Sequence, residues 1–169
     1  TKGAVKIGWS WEAKFVWFWR SEAQLAQTLA LMAGLPDCSI EQCIVQEWVD
    51  FDFELRLFFF LPPDWTPGTK LEPAHHSFTA WETSEMAATP QTFLKPSPES
   101  ALAQWQGDQV AMSSAHEQAI EASQHLIAEL LHKHPTPVPF IRMDWMLKRT
   151  APGVAQVVFG EYCEMGACC

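Results

Sequence analysis

The chain has 169 residues, enough for one domain with a real core, and its 48% hydrophobic and 18% charged residues are those of a globular protein rather than a disordered one. A formal net charge of −9 argues against non-specific nucleic-acid binding, which needs clustered Lys and Arg to displace counterions. No apolar run approaches the roughly eighteen residues of a membrane span; the longest, LFFFLPP at 57–63, ends in two prolines.

In chain order, residues 3–8, GAVKIG, read as a short buried strand bearing one lysine, and 15–19, FVWFW, as a second, with WSWEAK at 9–14 turning between them. Ser21 and Gln24 have capping-box spacing and open a helix whose Leu25, Leu29 and Met32 recur at helical intervals until Gly34 and Pro36 end it. Cys43 to Val49 is the next strand, and Asp50–Asp52 link it to a strand over 53–61. From 62 to 107 the composition changes. Prolines at 62, 63, 67, 73, 90, 96 and 98 stand among Ser, Thr and Gly, which predicts a loop, lid or insertion rather than a core element.

Ser114 with Glu117 repeats the capping spacing and predicts a helix to about His134, with Ile120, Ile127, Leu130 and Leu131 as its apolar stripe. Pro135, Pro137 and Pro139 stop it. Strands at 140–147, FIRMDWML, and 155–163, AQVVFGEYC, close the chain as an antiparallel hairpin through KRTAPGV. The order predicts an α+β fold of antiparallel sheets with packed helices. It divides into a first part at 1–61, an insertion at 62–112, and a second part at 113–169.

Two full charges sit in the most apolar strand. Side chains alternate along a strand, so Glu54, Arg56 and Phe58 share one face and Leu55, Leu57 and Phe59 the other. Arg142, Asp144 and Met146 share a face by the same rule, and strict alternation puts Val157, Phe159, Glu161 and Cys163 together on the last strand. One account is a solvated sheet face, common in antiparallel sheets. The other is a lined cleft, favoured by Phe58, Met146 and Phe159 among the charges. Asp144 and Glu161 on adjacent strands repel unless a cation lies between them, and a hard divalent ion such as magnesium takes such carboxylates together with substrate phosphates. Arg56 and Lys6 then suit the phosphates, the one as a fork and the other as a point charge.

In this order the features resemble those of the ATP-grasp enzymes, the ATP-dependent carboxylate–amine ligases. The elements are AVKIG with its lysine, a turn and strand, the helix opening SEAQL, the strand CIVQEWV, the E-x-R strand, a helix, and FIRMDWML with VVFGEYCE. The resemblance spans most of the chain outside 62–112 and implies an ATP-grasp-like fold binding ATP and Mg2+. By the resemblance, Lys6 contacts the nucleotide phosphates and Lys14 adds a cation in the turn. Gln46, Glu47, Trp48 and Val49 form the adenine hinge, and Glu54 accepts from the ribose hydroxyls. Arg56 and Arg142 lie at the phosphate and the transferring phosphoryl group. Asp144 and Glu161 hold magnesium, with Glu164 as a further candidate.

The implied reaction joins an unknown small-molecule or peptide carboxylate to an amine or thiol through an acylphosphate. The alternative is an ATP-grasp-like domain that binds without catalysis. Two departures favour that alternative: the turn WSWEAK lacks the family's glycines, and Cys163 stands where the family has asparagine.

The remaining signals are plainer. Five cysteines without paired spacing read as free thiols of a reducing, cytoplasmic setting rather than as a zinc site. The six histidines, His75-His76, His116, His125, His132 and His134, invite a metal-site hypothesis, although His132 and His134, two apart at a helix end, face different ways and suit the C-terminal dipole. The first and last residues read as cuts in a longer protein, whose flanking domain is expected to complete the site.

Overall fold

The computed structural model describes residues 1–7, 16–34, 43–82, 92–133 and 138–164. It is α+β, with two antiparallel sheets and three helices among those residues. The chain forms two compact units, residues 1–50 with 82–92 and 168–169, and residues 51–81 with 93–167. The expected turn at 9–14, with Lys14, lies outside the described residues.

The first unit is a three-stranded sheet and a helix. Strands β1 (Gly3–Ile7), β2 (Val16–Trp19) and β3 (Cys43–Glu47) lie in the order β2-β1-β3. Helix α1 (Glu22–Ala33) begins as expected, because the Ser21 side chain accepts from the Gln24 N–H at 3.2 Å and Gln24 Oε1 accepts in return from the Arg20 N–H at 2.8 Å. Val5, Trp19 and Met32 are its buried centre, with Leu25, Leu29 and Ile7 against them. Gly3 is forced by this packing: a Cβ there would stand 2.0 Å from the Gln46 carbonyl oxygen and 2.7 Å from the Trp19 ring.

The second unit carries a five-stranded sheet of β4 (Phe53–Phe60), β5 (His75–Glu82), β6 (Thr92–Leu94), β7 (Phe140–Ala151) and β8 (Val154–Glu164), ordered β6-β5-β4-β7-β8. Helices α2 (Pro98–Gln104) and α3 (Gln109–Lys133) complete it. One face of the sheet is the core. Phe53, Leu55, Leu57 and Phe59 of β4 and Ile141, Met143, Trp145 and Leu147 of β7 are buried, together with Ala111, Ala115, Ala119 and Ile127 of α3. The small residues at every fourth position of α3 let the helix backbone approach the large side chains of the sheet. Ser123 continues that row. Its hydroxyl donates to the Ala119 carbonyl at 2.7 Å and accepts from the Trp145 indole at 2.9 Å, so the one buried indole N–H of β7 is paired.

Three expectations change. The proline-rich stretch is not a mere loop, because β5, β6 and α2 lie within it and β5 pairs with the whole centre of β4, from Glu54↔Thr79 to Phe58↔His75. Helix α3 starts five residues before Ser114, since Asp108 caps it by accepting from the Ala111 N–H at 3.1 Å. Strands β7 and β8 run almost to their turn, with Ala151 opposite Val154, so most of KRTAPGV is ladder rather than connection. Asp108 also holds this hairpin end, accepting from Arg149 Nε at 2.7 Å and the Gly153 N–H at 2.8 Å.

Candidate functional site

On β4, period two divides the strand as expected: Leu55 and Leu57 are buried in the core, while Glu54, Arg56 and Phe58 are half-buried on the opposite face. The ladder then brings the charges together. Arg56 is opposite Asp144 on β7, and Asp144 is opposite Glu161 on β8; Arg142 is opposite Phe58 on one side and Cys163 on the other. Three neighbouring strands thus place Arg56, Asp144 and Glu161 in one row.

The row is an ion-pair network. Arg142 forks onto Asp144, with Nε to Oδ1 and Nη2 to Oδ2 both at 2.9 Å. Arg56 Nε is 3.7 Å from Asp144 Oδ2, and its Nη2 is 3.4 Å from Glu54 Oε2. Arg142 Nη2 also reaches Glu161 Oε1 at 3.4 Å and Cys163 Sγ at 3.1 Å. Asp144 and Arg142 are only 2% and 5% exposed, whereas 44% of the Glu161 side chain is open to solvent. Glu161 is therefore the carboxylate of the row most open to solvent.

Burial pushes the Asp144 carboxyl above the usual range, against the pull of Arg142 and Arg56. Burial pulls Arg142 down, but the attraction of Asp144 and its other neighbours more than offsets this and its net shift is upward. Both shifts are upward, which disfavours the charged form of Asp144 and favours that of Arg142. The paired charges are the form that fits the geometry, because Arg142 meets both oxygens with a fork of two N–H bonds, the arrangement a carboxylate accepts best. Burial, then Glu161, pushes the Cys163 thiol up to about 11, so it stays protonated and is neither a nucleophile nor a ready metal ligand at neutral pH.

A β-bulge decides which residues of β8 join the row. The register shifts between Asp144, opposite Glu161, and Trp145, opposite Phe159, leaving Gly160 as the extra residue. Val157 and Phe159 therefore pack toward the core opposite Leu147 and Trp145, while Glu161 and Cys163 lie with Asp144 and Arg142. The strict alternation expected of β8 put Phe159 on the face of Glu161; the bulge separates them. A Cβ on Gly160 would stand 3.0 Å from the Asp144 carbonyl oxygen, which is why the closest approach falls on a glycine.

Glu54, Arg56, Arg142, Asp144 and Glu161 are thus gathered on one face of the second unit. Cys163 is the member whose bond to Arg142 the sequence did not reveal. Glu164 pairs with Ile141, one register step beyond the Arg142–Cys163 pair. Lys6 and the Gln46–Val49 stretch belong to the first unit. There Lys6 pairs with Val16 and Ile44, and Gln46 with Ala4. The Trp48 N–H donates to the Lys2 carbonyl at 2.9 Å, its ring meets Phe18 edge-on at 5.4 Å, and Lys2 Nζ lies 5.1 Å from the ring centre. Alternation then leaves the Glu47 backbone groups on the outer edge of β3.

No family model and no curated protein matches the chain. Among the described residues, no group of three or more His, Cys, Asp or Glu side chains is arranged to hold a metal ion. None of their helices is long and apolar enough to cross a membrane.

Two paired carboxylates are the donor type that magnesium takes, so the Asp144–Glu161 pair suits the ion chemically. The guanidinium of Arg142 already supplies positive charge between them.

Proposed function

We propose that this chain is an ATP- and magnesium-binding domain of the ATP-grasp kind, from an ATP-dependent ligase that activates a carboxylate substrate as an acylphosphate. The observation that carries the reading is the row of Arg56, Asp144 and Glu161 across three adjacent strands, with Arg142 forked onto its centre. The order of the lysine strand, helix, hinge strand, E-x-R strand and closing hairpin supports it.

In this reading the substrate carboxylate attacks the γ-phosphoryl group, giving the acylphosphate and ADP; an amine or thiol then displaces phosphate. Arg56 and Arg142 neutralise the charge that gathers on the transferring group, and Glu54 accepts from the ribose hydroxyls. Glu161 with Asp144 would hold magnesium, which supplies phosphate neutralisation and alignment.

A second reading, an ATP-grasp-like domain that binds without catalysis, rests on a separate observation. Both Asp144 oxygens are occupied by Arg142, and the position beside Glu161 is a protonated thiol rather than an oxygen ligand.

Calorimetry with ATP, with and without magnesium, tests the proposal. Micromolar affinity that needs magnesium and disappears in Asp144→Asn/Glu161→Gln supports it, and Glu161→Gln alone spares the buried pair. Absence of binding at millimolar ATP would overturn the nucleotide reading. Binding without formation of ADP in the presence of candidate carboxylates would favour the second.

A further inference from the structure

The strand β5 carries His76 opposite Leu57, on the core side of the sheet, where it meets His116 of α3. The two imidazole centroids are 4.9 Å apart and the rings cross at 75°. His76 is exposed, and Phe78 packs beside it with ring centroids 6.2 Å apart. The Nε2 atom of His116, by contrast, is buried and has no hydrogen-bond partner. A buried polar atom without a partner is uncommon in folded proteins and calls for an ion, a water or a functional reason.

The spacing of the rings agrees with the first of these. Two imidazoles bound to one tetrahedral zinc ion, each with a metal–nitrogen distance of about 2.0–2.1 Å, have centroids about 5 Å apart. The surroundings agree as well, since Glu72 and Glu117 both act electrostatically on His116. Burial, then His76, holds the His116 imidazole below its ordinary range, so at neutral pH it is in the uncharged form that binds metal.

We propose that His76 and His116 bind one divalent transition-metal ion of the zinc class, with water completing its coordination. Paired imidazoles favour zinc, nickel or copper(II) over magnesium, so this site is chemically distinct from the carboxylate row on the other face. The ion ties the proline-rich stretch, through β5, to the N-terminal third of α3. It acts as a staple that the hydrogen-bond ladder between β4 and β5 does not provide.

Zinc chloride titrated into the whole chain, followed by calorimetry and thermal unfolding, tests this. The expected result is a histidine-dependent equivalent of zinc that raises Tm by about 5 °C at saturation. His76→Ala, at an exposed position, should weaken that equivalent by about tenfold or more and abolish the gain in Tm. His125→Ala on the same helix should leave both unchanged. Cys168→Ser/Cys169→Ser should keep the equivalent, which separates it from zinc held by thiols. Glu161→Gln should keep it too, so the outcome is independent of the nucleotide reading. Zinc binding and Tm gain identical in the chain and in His76→Ala, or no binding at about 1 mM zinc, would overturn the proposal and leave the two rings as packing alone.

Discussion

Replacing Arg142 with methionine removes the forked partner of Asp144 while keeping a side chain of similar reach. Both groups are nearly solvent-free, at 5% and 2% exposure, so screening by water provides no discount. Breaking a buried pair by removing one member costs about 3–5 kcal/mol, because the other charge stays buried. Arg56 Nε at 3.7 Å still faces Asp144, which places the expected loss near the lower end, about 3 kcal/mol, or a Tm drop of about 6–12 °C for a chain of this size. The converse change, Asp144→Asn, should cost less, about 1.5–3 kcal/mol, because Arg142 retains Glu161 at 3.4 Å.

The two variants also separate with pH. Burial already raises the Asp144 pKa in the folded state, and loss of the guanidinium raises it further. A carboxyl with a raised folded pKa stabilises the protein below its unfolded pKa, and that contribution fades as pH rises through the folded value. The deficit of Arg142→Met should therefore shrink as pH falls from 7 toward 4. Urea unfolding of the wild type and both variants at pH 7 and pH 5 measures this. A loss under about 1 kcal/mol, or equal losses in the two variants with no pH dependence, would refute the buried-pair argument.

Four further outcomes are expected. Asp108→Asn should lower Tm by several degrees at pH 7 and flatten the pH dependence of Tm in acid. The Gly153 N–H first, then Arg149 and the Ala111 N–H, hold this carboxyl at about 2 rather than 3.8, so its contribution is present above about 3.8 and is lost as pH falls toward 2. Ser123→Ala should cost about 1–3 kcal/mol in urea unfolding, because the Trp145 indole N–H loses its acceptor. Glu54→Gln should weaken ATP more than a 2′,3′-dideoxy analogue in calorimetry; equal losses would remove the ribose assignment. Cys163→Asn should raise magnesium-dependent ATP affinity by about tenfold by giving the ion an oxygen ligand, and an unchanged affinity would separate position 163 from the metal.

Much of the charged face was legible because β4 and the first half of β7 are regular: E-x-R and R-x-D obey period two without exception. The pairing of Asp144 with Glu161 was legible from the hairpin, but the side on which Phe159 lies was not. A bulge changes the phase without changing composition, and the only local sign was Gly160 inside an apolar strand. Strand β5 was hidden by its setting. HHSFTAWE has the alternation of a strand, with Phe78 and Thr79 buried, yet four prolines and a glycine on its N-terminal side gave the whole stretch the composition of a loop. The true start of α3 is signalled by Gly107-Asp108, whereas the Ser114–Glu117 spacing falls inside the helix. The contact of His76 with His116 joins positions forty apart in sequence, which no local pattern encodes.

The extra residue at Gly160 has an evolutionary corollary. The last strand serves both sides of the sheet, its first half beneath the helix and its second half beside the arginines, and one surplus residue keeps the two halves in opposite parity. Amino-acid exchanges along the hairpin alter one neighbour at a time, and loss of the surplus glycine itself would leave Phe159 and Glu161 as direct neighbours that ordinary alternation still sends to opposite sides. Descendants of this chain should therefore tolerate loss of Gly160 with Glu161 and Cys163 still beside the arginines.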